Sequence, residues 1–143
     1  MWRLSPLLGV VAALVLSLIA VIPAAAGGHY PTTTLLTITQ STSITNGSVT
    51  TTYTGTANVT VDGEGTTPPV GTLSIQECQS KTGIPAPYTS CDSGGGGQWV
   101  TIKEATPPTS LSASTTAFGA GFRAVYKGKQ GYGSSESTAE NAQ

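Results

Sequence analysis

Between Val49 and Val61 the chain alternates without a break. Val49, Thr51, Tyr53, Gly55, Ala57, Val59 and Val61 share one parity, and Thr50, Thr52, Thr54, Thr56, Asn58 and Thr60 the other. A period of two sends the first set to one side of an extended strand and the second to the opposite side. A strand so patterned buries its apolar side against a second layer and shows the hydroxyl side to water, as antiparallel sheets do. Upstream, Thr32 to Gln40 reads as a first strand with Leu36 and Ile38 inward, and Asn46-Gly47 is a dipeptide that favours a tight hairpin turn. Gly55, inside the second strand, predicts a bulge or bend.

Four further strands follow the same logic. Val70 to Glu77 carries Leu73 and Ile75 inward, and Gln98 to Lys103 sets Val100 and Ile102 against Trp99 and Thr101. Ser110 to Thr116 offers Leu111 and Ala113, and Phe122, Ala124 and Tyr126 define a sixth strand. The turn signals Asp62-Gly63-Glu64-Gly65, Pro68-Pro69 and Pro107-Pro108 separate them. Beyond Tyr132 the chain is polar, which predicts a weak seventh strand and a polar tail over 137–143. No stretch of ten or more residues after residue 26 shows helical spacing and no internal repeat is visible. The pattern predicts an all-β fold, a β-sandwich of six to seven strands over 32–136.

The first 26 residues have a different character. Arg3 precedes an apolar run from Leu7 to Ile22, and Ala24, Ala25 and Ala26 supply the small residues of a secretory cleavage site. About sixteen apolar residues fall short of the roughly 20 that span a bilayer. The expectation is a signal peptide over 1–26, a short flexible mature N-terminus over 27–31, and a secreted product with no membrane attachment. Loss of Arg3 takes the formal charge from −1 to −2. That balance argues against nucleic acid, which selects a dense basic face.

Cys78 and Cys91 are the only cysteines, and export exposes them to an oxidising compartment. Their spacing matches neither a Cys-x-x-Cys redox motif nor a zinc half-site. A disulfide closing the Gly- and Pro-rich loop between the third and fourth strands is expected. Trp99 lies opposite Val100 and Ile102, beside the loop that bears Tyr88. The two aromatics either form a platform for a sugar or flat ligand, or Trp99 covers the base of the disulfide loop.

Catalytic constellations are scarce. Gly128-Lys129 is followed by Gln130 and no helix, so the P-loop pattern fails and Arg123, Lys127 and Lys129 read as a solvated patch. His29 is the only histidine and lies near the mature N-terminus; Asp62 and Glu64 sit in a turn sequence. No metal, no cofactor and no enzymatic activity are expected.

The stretch Ala124-Val125-Tyr126-x-Gly128-x-x-x-Tyr132-x-x-Ser135 resembles the penultimate strand of the immunoglobulin-like repeat domains of bacterial secreted and surface proteins. TTTLLTITQS, GSVTTTYTGTANV and PPVGTLSIQEC are similar to that family's first three strands. The resemblance implies an immunoglobulin-like sandwich and a non-catalytic role in extracellular or cell-envelope interaction, with a protein or glycan partner. It also implies a host that leaves the sequons at Asn46 and Asn58 unmodified. The cysteine-closed insertion, the polar last strand and the single copy depart from the family. IQECQ with its short cysteine loop resembles one hairpin of the neocarzinostatin-type apoproteins, whose second disulfide is missing here. That likeness implies the alternative of a small-ligand or carbohydrate carrier, binding in a sandwich cleft near Trp99.

Overall fold

A computed structural model describes residues 29–143, so the expected signal peptide lies outside the described residues. Eight strands form: β1 (Thr32–Thr45), β2 (Ser48–Val61), β3 (Thr72–Ser80), β4 (Gly97–Ala105), β5 (Leu111–Thr115), β6 (Gly121–Lys127), β7 (Ser135–Glu136) and β8 (Glu140–Asn141). Among the described residues there is no helix. The strands make two antiparallel sheets, one ordered β1-β2-β5 and the other β4-β3-β6-β7, with β8 also paired to β6. The chain is a β-sandwich.

The β1–β2 hairpin follows from its sequence. Asn46 and Gly47 take φ of 51° and 78°, the left-handed pair that a two-residue turn matched to strand twist demands. The register then runs unbroken from Thr45 opposite Ser48 to Thr32 opposite Val61. β1 thus extends past Gln40, where the sequence pattern placed its end. Gly55 makes no bulge: it pairs with Ile38 on one side and Ala113 on the other. Its missing side chain makes room for Leu36, whose Cδ1 would lie 3.4 Å from an added Cβ.

The register break falls on β4 instead. Lys103 faces Ile75 while Thr101 faces Gln76, which leaves Ile102 as the extra residue of a bulge. Ile102, expected inward, is therefore exposed, and Val100 is only half-buried at this edge of the sheet.

The core lies between the sheets. Leu36, Tyr53, Ala57 and Val59 from the three-stranded sheet meet Leu73, Ile75, Phe122, Ala124 and Tyr126 from the other, with Leu111 closing one side. These are the alternating positions read from the sequence, and each large side chain so buried stabilises the fold by about 1.5–3 kcal/mol. Tyr126 also donates a 2.7 Å hydrogen bond to the Val70 carbonyl. Between the sheets, Thr32 and Thr34 of β1 both reach the Ser135 hydroxyl, at 2.9 and 2.7 Å.

Both chain ends differ from expectation. The 137–143 stretch is docked: the Ala124 amide donates to Ser137 Oγ at 2.8 Å, the Ser137 amide to the Ala124 carbonyl at 2.9 Å, and Ala142 is fully buried. Backbone groups and serine hydroxyls satisfy the far edge of β6 without any apolar run. At the other end, Tyr30 and Pro31 are tied down. The Tyr30 amide donates to Gly131, its carbonyl accepts from Gly133, and its ring stacks on Tyr132 at 5.0 Å.

Candidate functional site

The disulfide forms as expected, with S–S 2.01 Å and Cα–Cα 5.7 Å. Cys78 is out of phase with Leu73 and Ile75, so it faces away from the core. Its cross-strand partner on β4 is Trp99. Arg123, equally out of phase with Phe122 and Ala124, lays its guanidinium 4.7 Å from the centre of the Trp99 ring. Arg123 Nε donates to Gln76 Oε1 at 2.7 Å, and its Nη1 lies 3.8 Å from Glu136 Oε2. Gly97 lets the loop close over this cluster, because a Cβ there would come within 2.7 Å of both cysteine sulfurs.

Two clefts flank Trp99. The larger, about 570 Å³, is bounded by the disulfide, Pro87, Phe118 and the C-terminal residues Asn141 to Gln143. The smaller, about 300 Å³, lies towards Arg123, Glu136 and Thr138. Trp99 is half-buried on both. Tyr88 is 80% exposed and lines neither, so the structure does not bring Tyr88 and Trp99 together. Sequence reasoning missed Arg123 and Phe118. The signal for Arg123 was its parity, which places it on the Cys78 side of the sheet.

A second surface is the outer face of the three-stranded sheet. The register aligns Thr37, Thr56 and Ser112 in one row and Thr39, Thr54 and Ser114 in the next. Ser41 with Thr52, Ser43 with Thr50, and Thr45 with Ser48 continue the rows along the hairpin. Neighbouring rows are about 6.8 Å apart and neighbouring strands about 4.8 Å. Lateral bonds order the grid: Thr54 to Ser114 at 2.8 Å and Thr56 to Ser112 at 3.0 Å. Each hydroxyl keeps further bonding capacity towards solvent. From Thr32 to Val61 there is no Asp, Glu, Lys, Arg or His.

The hairpin also projects beyond its neighbour. β5 ends at Thr115 opposite Tyr53, and the arm from Gln40 to Thr50 is exposed on every residue. Ile44 and Val49 face each other near its tip, 73% and 63% exposed.

The lysine- and glycine-rich connection of β6 to β7 is a turn, with Gln130 and Gly131 at φ of 53° and 89°. The Gly128 amide is spent on Ser134 Oγ at 3.0 Å. Among the described residues no three His, Cys, Asp or Glu side chains gather as a metal site, and no helix is long and apolar enough to cross a membrane. Protein-family models, curated proteins and solved structures all yield no match to this chain.

Proposed function

We propose that the chain is a secreted, non-catalytic immunoglobulin-like module that adheres to glycan-rich extracellular or cell-envelope surfaces through the hydroxyl face of the β1-β2-β5 sheet. The strand order supports the immunoglobulin-like assignment, since three strands face five and the chain crosses between the sheets after β2, after β4 and after β5, as in Greek-key sandwiches. The leader-like first 26 residues and the disulfide support export.

The observation that carries the binding proposal is the ordered hydroxyl grid without a charge. Each hydroxyl both donates and accepts, so a polyhydroxylated ligand replaces the water it displaces. Net gain per bond is about 0.5–1.5 kcal/mol, so affinity comes from many bonds made at once across an extended surface. Cosedimentation of the secreted protein with insoluble peptidoglycan and polysaccharides tests this. Retention is expected for the native chain and loss for a Thr54→Val, Thr56→Val variant that keeps shape and strand propensity. Failure to pellet with any such surface, or hydrolysis of one by the pure protein, would overturn the proposal.

The cleft of about 570 Å³ beside Trp99 favours a second reading, a carrier of a small flat ligand. Trp99 is the sole tryptophan after residue 26, so its fluorescence reports on that site alone once the leader is removed. An unchanged spectrum across an aromatic ligand library rejects this reading.

A further inference from the structure

We infer that the free edge of β1, from Thr37 to Thr45, is a self-assembly edge that pairs antiparallel with the same edge of a second copy of this chain. The inference concerns assembly and stands independently of what the hydroxyl face binds. It rests on how differently the sheet edges are treated.

An open strand edge presents unpaired N–H and C=O groups on every second residue and invites another strand to add. Natural sheets blunt such edges with charges, proline, bulges or shortness. The other edges here carry those devices, and β2 is left uncovered by β5 only over the short runs Ser48–Thr52 and Asn58–Thr60. β4 has its bulge at Ile102 and the charged pair Lys103 and Glu104. β5 is five residues long and follows Pro107-Pro108, and β7 and β8 are two residues each, carrying Glu136 and Glu140.

β1 carries none of them. It is fourteen residues long, pairs only with β2 among the described strands, keeps one register throughout and contains no proline and no charged side chain. Its first residues, Thr32 and Thr34, turn their hydroxyls to Ser135, but from Gln40 to Thr45 every residue is exposed.

The occupant is a second copy because the edge is neutral along its whole length. Identical charged edges repel when like charges face each other, whereas two uncharged Thr/Ser edges meet without that penalty and satisfy each other's backbone groups. An antiparallel pair of identical edges is isologous, so it closes as a dimer instead of growing into a fibre. Its two-fold axis is perpendicular to the sheet, which joins the two three-stranded sheets into one of six strands and sets both hydroxyl faces on the same side.

Sedimentation velocity of the secreted chain over micromolar to near-millimolar concentration, with amide hydrogen exchange at both ends of that range, tests the inference. The expected result is a monomer–dimer equilibrium in which the alternate amides of Thr37–Thr45 that do not bond to β2 gain protection as the dimer forms. A Ser41→Lys, Ser43→Lys variant lies on the exposed arm, where unfolding of the core is not at stake, and should be monomeric throughout. Mixing it with a Ser41→Asp, Ser43→Asp variant should restore the dimer. A native chain that stays monomeric, a dimer that survives the lysines, or a mixture that stays monomeric overturns the inference.

Discussion

Tyr126 shows how much one side chain carries in a fold this small. Its ring is buried in the core and its hydroxyl donates to Val70. Burial first, and the neighbouring Tyr132 second, raise its pKa above the ordinary value near 10. The phenol holds its proton more tightly folded than unfolded, so this contribution is complete below about pH 10 and is lost as pH rises through the folded-state pKa. Denaturant titrations between pH 8 and 11 should show stability falling above pH 10, with a smaller fall for Tyr126→Phe. At pH 7 that variant should be less stable by about 1 kcal/mol, since the Val70 carbonyl loses its donor. Gly71 is as sharply constrained: its φ is 106°, and a Cβ would lie 2.6 Å from the Lys127 carbonyl. Gly71→Ala should therefore destabilise by more than about 1 kcal/mol in the same assay.

At the scale of elements, the disulfide and the C-terminal stretch make separate demands. Reducing the Cys78–Cys91 bond frees a loop that the chain-entropy account values at about 3 kcal/mol, so melting with and without reductant should differ by about 10–15 °C. Deleting the residues after Glu136 removes Ala142, β8 and the Ser137 bonds to Ala124. It should cost at least about 2 kcal/mol and speed amide exchange in β6. Strands whose inward residues are apolar were legible because parity alone locates them: β3, β6 and β2 from Tyr53 to Val61 bury the positions their alternation predicts, whereas Val49, of the same inward parity, is exposed because the arm projects past the second sheet. The docked C-terminus was not legible, because serine hydroxyls and backbone groups hold it and leave no apolar trace. The extension of β1 past Gln40 was hidden for a related reason, since an exposed Thr/Ser arm has no inward set. The bulge at Ile102 leaves the sequence alternation intact and shifts only the register, so pairing alone reveals it. Of the candidate site, the disulfide was legible, while the pairing of Trp99 with Tyr88 failed because Tyr88 points away from both clefts.

For the whole molecule, chemistry is divided by surface. One sheet packs its outer side with the disulfide, Trp99 and Arg123, and the other leaves a hydroxyl grid bare on a hairpin of 14-residue strands that has no charged side chain. Self-pairing through β1 doubles that grid and so multiplies weak contacts through avidity. Binding through charges weakens as salt screens them, whereas binding through uncharged hydroxyls does not. The most direct test is a cosedimentation isotherm on insoluble glycan at about 10 mM and about 1 M salt, for the native chain and for Thr54→Val, Thr56→Val. Equal retention of the native chain at both salts is expected, with binding weaker by about tenfold or more for the valine variant, whose melting temperature stays within a degree or two. Binding that collapses in high salt, or that survives the valines undiminished, would contradict the proposal.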